Sequence, residues 1–343
     1  MNPLNFSRLL LLPLLVLLSA LAGGWWIFIT PAICFVIHPL ANLIIKRKQH
    51  PIDDHASIVK TNKYFRWVAM LYVPVLIALT FWAIYFVSYK PGFVLFAGLA
   101  LSVGIINGVL GFTLAHEFIH ARNTFTKSCG YILLLQNFYM HYGIEHIGGH
   151  HVYACTPADP HTARIGESFF RFLPRAIAKT FVNAMVIEKR YRIKNYTYLN
   201  RVFIFLALQI LLLAIIFLTS GWLGAAFFLL QSFIAIVMLH NINYLQHYGL
   251  LRKEVITGQR ERISAHHAWN TNNQLSGFNL FQLENHADHH MHPSHKYEEL
   301  QALESSPQYP TGYSGMMLLT LIPPLWFKII HPKISLNTKN NCL

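Results

Sequence analysis

Long apolar stretches are the feature that most constrains how this chain folds. A helix needs about 20 apolar residues to cross the hydrocarbon core of a bilayer, and a helix satisfies its backbone hydrogen bonds within one segment. Only 12% of the 343 residues are charged, whereas a soluble domain carries about 25%. The sequence therefore predicts an all-α integral membrane protein with about six transmembrane helices, near Leu9–Ile29, Ala32–Ile45, Phe65–Val87, Phe93–Ala115, Val202–Ser220 and Leu223–Tyr244.

The first two spans leave two alternatives open. The second is short and contains His38-Pro39, so it forms either a hairpin with the first, turning at Thr30-Pro31, or a re-entrant segment. The first has the Leu-rich core and Ala20-Leu21-Ala22 of a signal peptide. Its apolar run continues from Gly23 to Phe28, which favours an uncleaved helix.

Basic residues predict the orientation, because Lys and Arg are retained on the cytosolic side of a membrane. The outward connections near Thr30, Lys90 and Gly221 hold only Lys90. Both termini and the long polar segments are therefore expected in the cytosol, and the net charge of +13 reflects topology rather than nucleic-acid binding. The basic residues of the two inward connections are Lys46, Arg47, Lys48, Lys60, Lys63 and Arg66, and Arg122, Lys127, Arg164, Arg171, Arg175, Lys179, Lys189, Arg190, Arg192 and Lys194.

The polar segments predict how one domain, 1–343, is organised. We expect four transmembrane helices in 1–115 and helices five and six in 201–245. Two cytosolic segments, 116–200 and 246–343, would carry a histidine-rich cap, and the second would end in an interfacial helix.

Histidines gather in three groups at these cytosolic segments. His116 and His120 follow the fourth span directly. The second group is Glu145-His146-Ile147-Gly148-Gly149-His150-His151, and the third is His286-Ala287-Asp288-His289-His290. Because residues three or four apart share a helix face, each group presents its imidazoles together. His247, at the end of the sixth span, is a ninth candidate.

The groups predict a metal centre. Nine imidazoles without a metal would leave ring nitrogens unpaired and would repel one another when protonated. Ordinary hydrogen-bonded histidines or a pH-sensing cluster are the alternatives. One first-row ion takes about six ligands at most, so nine nitrogens imply two ions. Imidazole suits iron, copper, nickel and zinc alike, and the membrane setting favours redox chemistry on a lipophilic substrate and hence iron. The cysteines form no C-x-x-C pair and predict neither a disulfide nor a metal site; they are Cys34, Cys129, Cys155 and Cys342.

Carboxylates accompany these histidines. Ligating histidines usually donate their other N–H to a carboxylate, so supporting catalytic roles are expected for Glu117, Glu145, Asp159 and Asp288. Direct metal binding is an alternative for Glu145, and Glu284 also lies nearby in sequence. The other histidines complete no group: His266, His267, His292 and His295 lie near the site, whereas structural or surface positions are expected for His38, His50, His55, His141, His161, His240 and His331.

From Gly111 to Lys333 the chain resembles the membrane fatty-acid desaturase and hydroxylase superfamily. It resembles most fully the branch of alkane 1-monooxygenases and xylene monooxygenases, which are non-haem di-iron enzymes. The resemblance is carried by Glu145–His151 continuing to Pro160, by Asn243–Leu250, and by Gly312–Met316 followed by Pro323–Trp326. It implies that two irons are bound by His116, His120, His146, His150, His151, His247, His286, His289 and His290.

The resemblance implies hydroxylation of a terminal methyl or alkyl C–H bond with O2. Gln246 and Asn285-His286-Ala287 look more like the xylene-type enzymes, whereas Glu145 and Gly148-Gly149 look like the alkane type. A xylene-type aromatic methyl hydroxylase and a fatty acyl desaturase or hydroxylase are therefore alternatives. A metal transporter is disfavoured, since it would place its histidines inside the spans.

Electrons must come from a separate protein. The chain contains neither a G-x-G-x-x-G element nor a cysteine cluster for iron–sulfur or rubredoxin-type iron. The resemblance implies a rubredoxin or ferredoxin-type donor with its NAD(P)H reductase, and the basic cytosolic surface suits an acidic carrier or anionic lipid. The hydrophobic substrate would enter from the bilayer of a bacterial inner membrane.

Overall fold

The structure is a computed structural model that describes residues 2–44, 63–195, 200–271 and 273–340. Within these residues five helices are long and apolar enough to cross a membrane. The prediction of an all-α membrane protein is confirmed. The five helices are α1 (Leu4–Ala22), α2 (Gly24–Asn42), α3 (Lys63–Tyr89), α4 (Phe93–Ile119) and a 47-residue helix, Arg201–His247.

Shorter elements connect and follow these helices. A small antiparallel hairpin of β1 (Glu254–Ile256) and β2 (Gln259–Arg260) is the only sheet among the described residues. The remaining helices, numbered along the chain, are α5 (Thr124–Gln136), α6 (142–153, with a π-helical turn at His146–His150), α7 (Phe169–Asn195), α8 (the long helix Arg201–His247), α9 (Gln274–Asn279), α10 (His286–Met291), α11 (Tyr313–Thr320) and α12 (Pro323–Asn340).

The break between α1 and α2 lies at Gly23-Gly24, so the predicted turn at Thr30-Pro31 is wrong. Both glycines have positive φ, 74° and 56°, a conformation that glycine adopts without steric penalty. Thr30 and Pro31 lie instead within α2. Its first segment, Gly24–Phe28, is a 3-10 helix, and an α-helical segment begins at Ile29, so Pro31 lies in the first α-helical turn, where a proline is tolerated. The helix continues through a π-helical turn into His38–Ile44, so His38-Pro39 does not interrupt it.

The predicted fifth and sixth spans correspond to the two halves of α8. At 1.5 Å per residue, 47 helical residues would extend about 70 Å, more than twice the hydrocarbon thickness. The backbone at Gly221 is not helical, with φ 68° and ψ −170°. Gly221 therefore separates two helical segments at the position where the sequence predicts a connection.

The described residues form two compact units. The first lies within Met1–Ile37, Asn62–Glu145 and Phe181–Leu239, and the second within His38–Thr61, His146–Thr180 and His240–Leu343. His116 and His120 belong to the first unit, and the other seven predicted ligands belong to the second. Ile45, Lys46, Arg47, Lys48, His50, His55, Lys60 and Cys342, which the sequence analysis names, lie outside the described residues.

Buried amides join the helices of the first unit. Asn107 lies in a π-helical turn of α4, Asn107–Gly111. Its Nδ2 donates to Thr80 Oγ1 at 3.0 Å and to Gln231 Oε1 at 2.8 Å, and its Oδ1 accepts from Gln136 Nε2 at 2.9 Å. These four side chains come from α4, α3, α8 and α5. The network thus holds four helices together where apolar packing alone gives little specificity.

Aromatic side chains fix the end of α8 in the second unit. Trp269 stacks on Tyr309 with ring centroids 4.7 Å apart, and its Nε1 donates to the Tyr248 carbonyl at 2.9 Å. Tyr309 Oη donates to the Leu245 carbonyl at 2.6 Å, and Tyr313 Oη donates to the Trp269 carbonyl at 3.0 Å. The carbonyls on both sides of His247 are therefore held by buried donors.

Candidate metal centre

Four imidazoles meet in the second unit. His150 comes from α6, His247 is the last residue of α8, and His286 and His290 lie one turn apart on α10. One ring nitrogen of each lies within 4.8 Å of the others, and each residue is at most 5% exposed. His286 Nε2 is 3.1 Å from His247 Nε2 and 3.0 Å from His290 Nε2. Two nitrogens about 2.1 Å from one ion and at right angles are about 3.0 Å apart, so the spacing suits a metal ion.

A second set lies beside the first. His151 Nε2 is 3.0 Å from His146 Nε2 and 3.2 Å from His289 Nε2. The rings of His151 and His290, which belong to different sets, have centroids 4.7 Å apart. The two sets therefore adjoin, as a centre with two neighbouring ions requires.

His116 and His120 lie at the end of α4 in the first unit. The helix extends beyond the predicted span to Ile119, and the two rings have centroids 5.1 Å apart. This proximity is the one expected from their spacing, because side chains four residues apart lie on one helix face.

The contacts of His150 fit a metal ligand. Its Nδ1 lies 3.1 Å from Asp159 Oδ2, and because an ionised carboxylate can only accept, Nδ1 carries the proton. Its Nε2 is buried without a hydrogen-bond partner among the described residues. A buried unpaired polar group costs about 1–3 kcal/mol, and a metal ion bound at Nε2 would remove that cost.

The surroundings also keep an imidazole of this group neutral. Burial, together with the neighbouring rings of His286 and His151, lowers the pKa of His290 well below its ordinary value. A neutral imidazole is the form that binds metal. The protonation state, the spacing and the unpaired nitrogen all fit an ion held by these residues.

Asp159 occupies the position expected of a carboxylate that orients a ligand. Its Oδ2 also accepts from Thr162 Oγ1 at 2.6 Å, and its Oδ1 accepts from the His161 N–H at 3.0 Å. Burial opposes its ionisation, but the hydrogen bond from His150 and the neighbouring imidazoles of His150, His161 and His247 together hold the pKa of the carboxyl below its usual range. Asp159 is therefore an ionised acceptor whose two oxygens are held in place by hydrogen bonds to His150, Thr162 and the His161 backbone.

Two residues contact His247: His267, which the sequence places near the site, and Cys155, for which the sequence predicts no role. His247 Nδ1 lies 3.0 Å from the His267 carbonyl oxygen and 3.3 Å from Cys155 Sγ. The Cys155 thiol donates to the same carbonyl at 2.9 Å, and burial raises its pKa well above the ordinary value, so the thiol keeps its proton. Cys155 has a φ of 58°, which is uncommon for a residue with a side chain. No spacing rule connects it to His247, 92 residues away along the chain.

The other candidate carboxylates have separate surroundings. Asp288 Oδ1 lies 2.8 Å from His292 Nδ1, and its Oδ2 accepts from the Gln301 N–H at 3.0 Å. Glu117 is half-buried on α4, and Glu145 is fully buried in the first unit. Glu284 is buried within the second unit, and its burial raises the pKa to about 8, so it holds a proton at neutral pH.

Comparison with known proteins places this chain in a family. The family model described as fatty acid desaturase matches residues 91–320. The chain is 34% identical to Alkane 1-monooxygenase 2 of Pseudomonas aeruginosa over 90% of this chain and 84% of that protein. It is 36% identical to Alkane 1-monooxygenase 1 of the same species over 91% and 84%. Against the xylene/toluene monooxygenase hydroxylase component XylM of Pseudomonas putida the identity is 29%, over 69% of this chain and 64% of that protein.

Proposed function

The chain belongs to the fatty acid desaturase family, in the group that contains the alkane 1-monooxygenases, and on this premise we propose that it is a membrane monooxygenase that hydroxylates alkyl C–H bonds. The observation that carries the proposal is the adjoining pair of histidine sets in the second unit. Two adjoining sets of facing ring nitrogens offer more ligands than one ion takes, so they suit two ions.

We propose two iron ions as the cofactor and assign the ligands by set. His150, His247, His286 and His290 would hold one iron. His146, His151 and His289 would hold the other, together with His116 and His120. The nitrogen spacing supports the seven ligands of the second unit, and the family relationship supports His116, His120 and the choice of iron over the other metals that imidazole binds.

Bound iron would supply the activation of O2, with two electrons, for insertion of one oxygen atom into a C–H bond and release of the other as water. The chain's own residues prepare the ligands. The Asp159 carboxylate accepts a hydrogen bond from His150 Nδ1, and the His267 carbonyl accepts one from His247 Nδ1. Both contacts leave Nε2 as the lone-pair donor and fix the orientation of the ring. Glu117, Glu145 and Asp288 remain proposed supporting residues.

The proposed substrate is an alkane or a similarly apolar alkyl compound that enters from the bilayer. The name shared by the two P. aeruginosa relatives supports this class. A methyl-substituted arene is the second candidate, because XylM is also similar and because Gln246 and Asn285 resemble the xylene type.

Product analysis tests the function. Cells that express the chain with an electron-donor protein and its NAD(P)H reductase would be fed octane, p-xylene and a saturated fatty acid in parallel. We expect 1-octanol, at least tenfold above cells that express a His289→Ala variant. A benzylic alcohol alone would select the second candidate. An unsaturated acid, or no product from iron-loaded protein that receives electrons, would contradict the proposal.

We further propose that the electron donor is a rubredoxin or ferredoxin-type protein. We also propose that the chain lies in a bacterial inner membrane, with the single-domain organisation set out above.

The histidine centre is proposed to face the cytosol. Basic residues support this orientation, among them Lys63 and Arg66 at the start of α3 and Arg164, Arg171 and Arg175 in the second unit. A fluorescent protein fused after Leu343 should fluoresce, and an alkaline phosphatase fused there should be inactive. The reverse result would contradict the orientation.

A further inference from the structure

A third group of candidate ligands lies outside both histidine sets. Asp288, His292 and His295 each offer one ligand atom, and these three atoms lie within 4.8 Å of one another. Asp288 Oδ1 is 2.8 Å from His292 Nδ1, and Asp288 Oδ2 is 3.6 Å from His295 Nδ1. The two rings stack with centroids 4.6 Å apart and an interplanar angle of 19°. Both Nδ1 atoms therefore approach the same carboxylate.

The fold holds these three side chains in place. The Asp288 side chain is 5% exposed, and its Oδ2 accepts from the Gln301 N–H at 3.0 Å. The His292 N–H donates to the Asp288 carbonyl at 2.8 Å, and the His295 N–H donates to the His292 carbonyl at 2.9 Å. Two consecutive backbone turns thus bring His292 and His295 back over the carboxylate.

The group is also open to an ion from solution. The side chains of His292 and His295 are 49% and 41% exposed, whereas the imidazoles of the two histidine sets are largely enclosed. His295 Nδ1 itself is buried, and it makes no hydrogen bond among the described residues. A buried ring nitrogen that makes no hydrogen bond and lies close to a carboxylate is suited to act as a metal ligand.

We propose that Asp288, His292 and His295 form a further binding site for a divalent first-row cation such as Zn²⁺. Two imidazole nitrogens and one carboxylate oxygen form a ligand set that zinc accepts in proteins, with water at the remaining position. Ligand atoms about 2.0–2.2 Å from a tetrahedral ion are about 3.3–3.6 Å apart. The 3.6 Å between Asp288 Oδ2 and His295 Nδ1 lies in this range. The 2.8 Å hydrogen bond between Asp288 Oδ1 and His292 Nδ1 is shorter, so a cation would replace this hydrogen bond as the two side chains rotate apart.

The site would act on the helix that carries three proposed iron ligands. Asp288 lies on α10 between His286 and His289, whereas His292 and His295 follow the end of that helix. A cation bound by all three would clamp the carboxyl end of α10. This inference goes beyond the proposed function and does not depend on it.

Zinc binding tests the site directly. Purified protein would be dialysed against micromolar Zn²⁺, and its zinc and iron contents would be measured together by mass spectrometry. We expect the wild-type chain to bind one more zinc than a His292→Gln, His295→Gln double variant, without losing iron. Each single variant should weaken zinc binding at least tenfold. His266→Gln is the matched control, because His266 belongs to none of the three groups.

Equal zinc contents in the wild type and the double variant would overturn the proposal. Zinc uptake that displaces iron one for one would also overturn it, since the zinc would then occupy the histidine sets. The iron content of each variant also shows whether it has folded around its centre. If the protein holds no iron, the proposed cofactor fails, but the difference of one zinc still decides this site.

Discussion

Neighbouring residues on a helix point about 100° apart, and the metal centre uses this at His150-His151 and His289-His290. Within each pair, one imidazole belongs to the four-histidine set and the other to the adjoining set. Adjacent histidines on two facing helices would therefore supply ligands to both proposed ions from the same turns. The sequence predicted the groups from their spacing, but it could not predict this division, because the division depends on how α6 faces α10.

At the residue scale, Asp159→Asn should impair metal binding. The amide would present either a donor or a weaker neutral acceptor to His150 Nδ1, so the ring would lose the partner that fixes its tautomer. Loss of such a partner typically lowers metal affinity by about 10–100-fold. Iron content measured after dialysis against a chelator should fall well below that of the wild type.

Glu254→Gln is the control for this prediction, because it makes the same kind of change at an exposed carboxylate of the hairpin. It should retain wild-type iron. If the Asp159→Asn variant resists the chelator as well as the control does, the orienting role of Asp159 is wrong.

The buried imidazole of His141 predicts how the stability of the protein changes with pH. It lies in the first unit against Tyr139 and Phe181, and burial lowers its pKa from 6.5 to about 4. The unfolded chain binds this proton more readily than the folded chain does. The contribution of the neutral His141 imidazole to the free energy of unfolding is therefore fully present above about pH 6.5. It is lost as the pH falls towards 4, by roughly 3 kcal/mol in total.

A His141→Phe variant should lose this component, because the phenyl ring fills a similar volume and does not titrate. Thermal unfolding in detergent, measured between pH 7 and pH 4, should show a shallower loss of stability in the variant. Parallel curves for the two proteins would contradict the assignment of a buried neutral imidazole.

At the element scale, the close approach of two helix segments depends on Gly108 in the π-helical turn of α4. A Cβ at this position would lie 2.5 Å from Met238 Cβ and 3.3 Å from the Ala235 backbone on α8. No flexible side-chain end is available to move aside. A larger residue must therefore separate the two segments.

Gly108→Val should destabilise the first unit by about 1–3 kcal/mol, the usual cost of overpacking. The measurement is the thermal unfolding midpoint and the yield of folded protein in detergent. Gly92→Val is the matched control, because a Cβ at Gly92 meets nothing within 4 Å. Equal midpoints for the two variants would contradict the close packing of α4 on α8 at this position.

Apolar runs predicted most of these elements, since a span needs only length and hydrophobicity. The break at Gly23-Gly24 was missed because Pro31 was taken to interrupt the helix. A proline near a helix start is compatible with the helix, so Pro31 carried no such signal. The π-helical turns at Asn107–Gly111 and His146–His150 were also not predicted, because they depend on contacts with other segments.

At the scale of the whole molecule, the proposed ligands come from segments far apart along the chain. Sequence spacing identified eight of the nine, and the family resemblance supplied His247. The contacts that support them could not be predicted in this way. Cys155 meets His247, 92 residues along the chain, and His295 meets Asp288, only because loops bring the backbone back to these positions, whereas the contact of Asp288 with His292 follows from their helical spacing.

The whole-molecule claim is that the histidine sets hold two irons, and metal analysis of the purified chain tests it most directly. Wild-type protein should contain about two irons per chain, because nine imidazoles exceed the ligands that one ion takes. His151→Ala and His289→Ala should each lower that content. Protein that folds with stoichiometric zinc and no iron, and that hydroxylates without added reductant, would contradict the account.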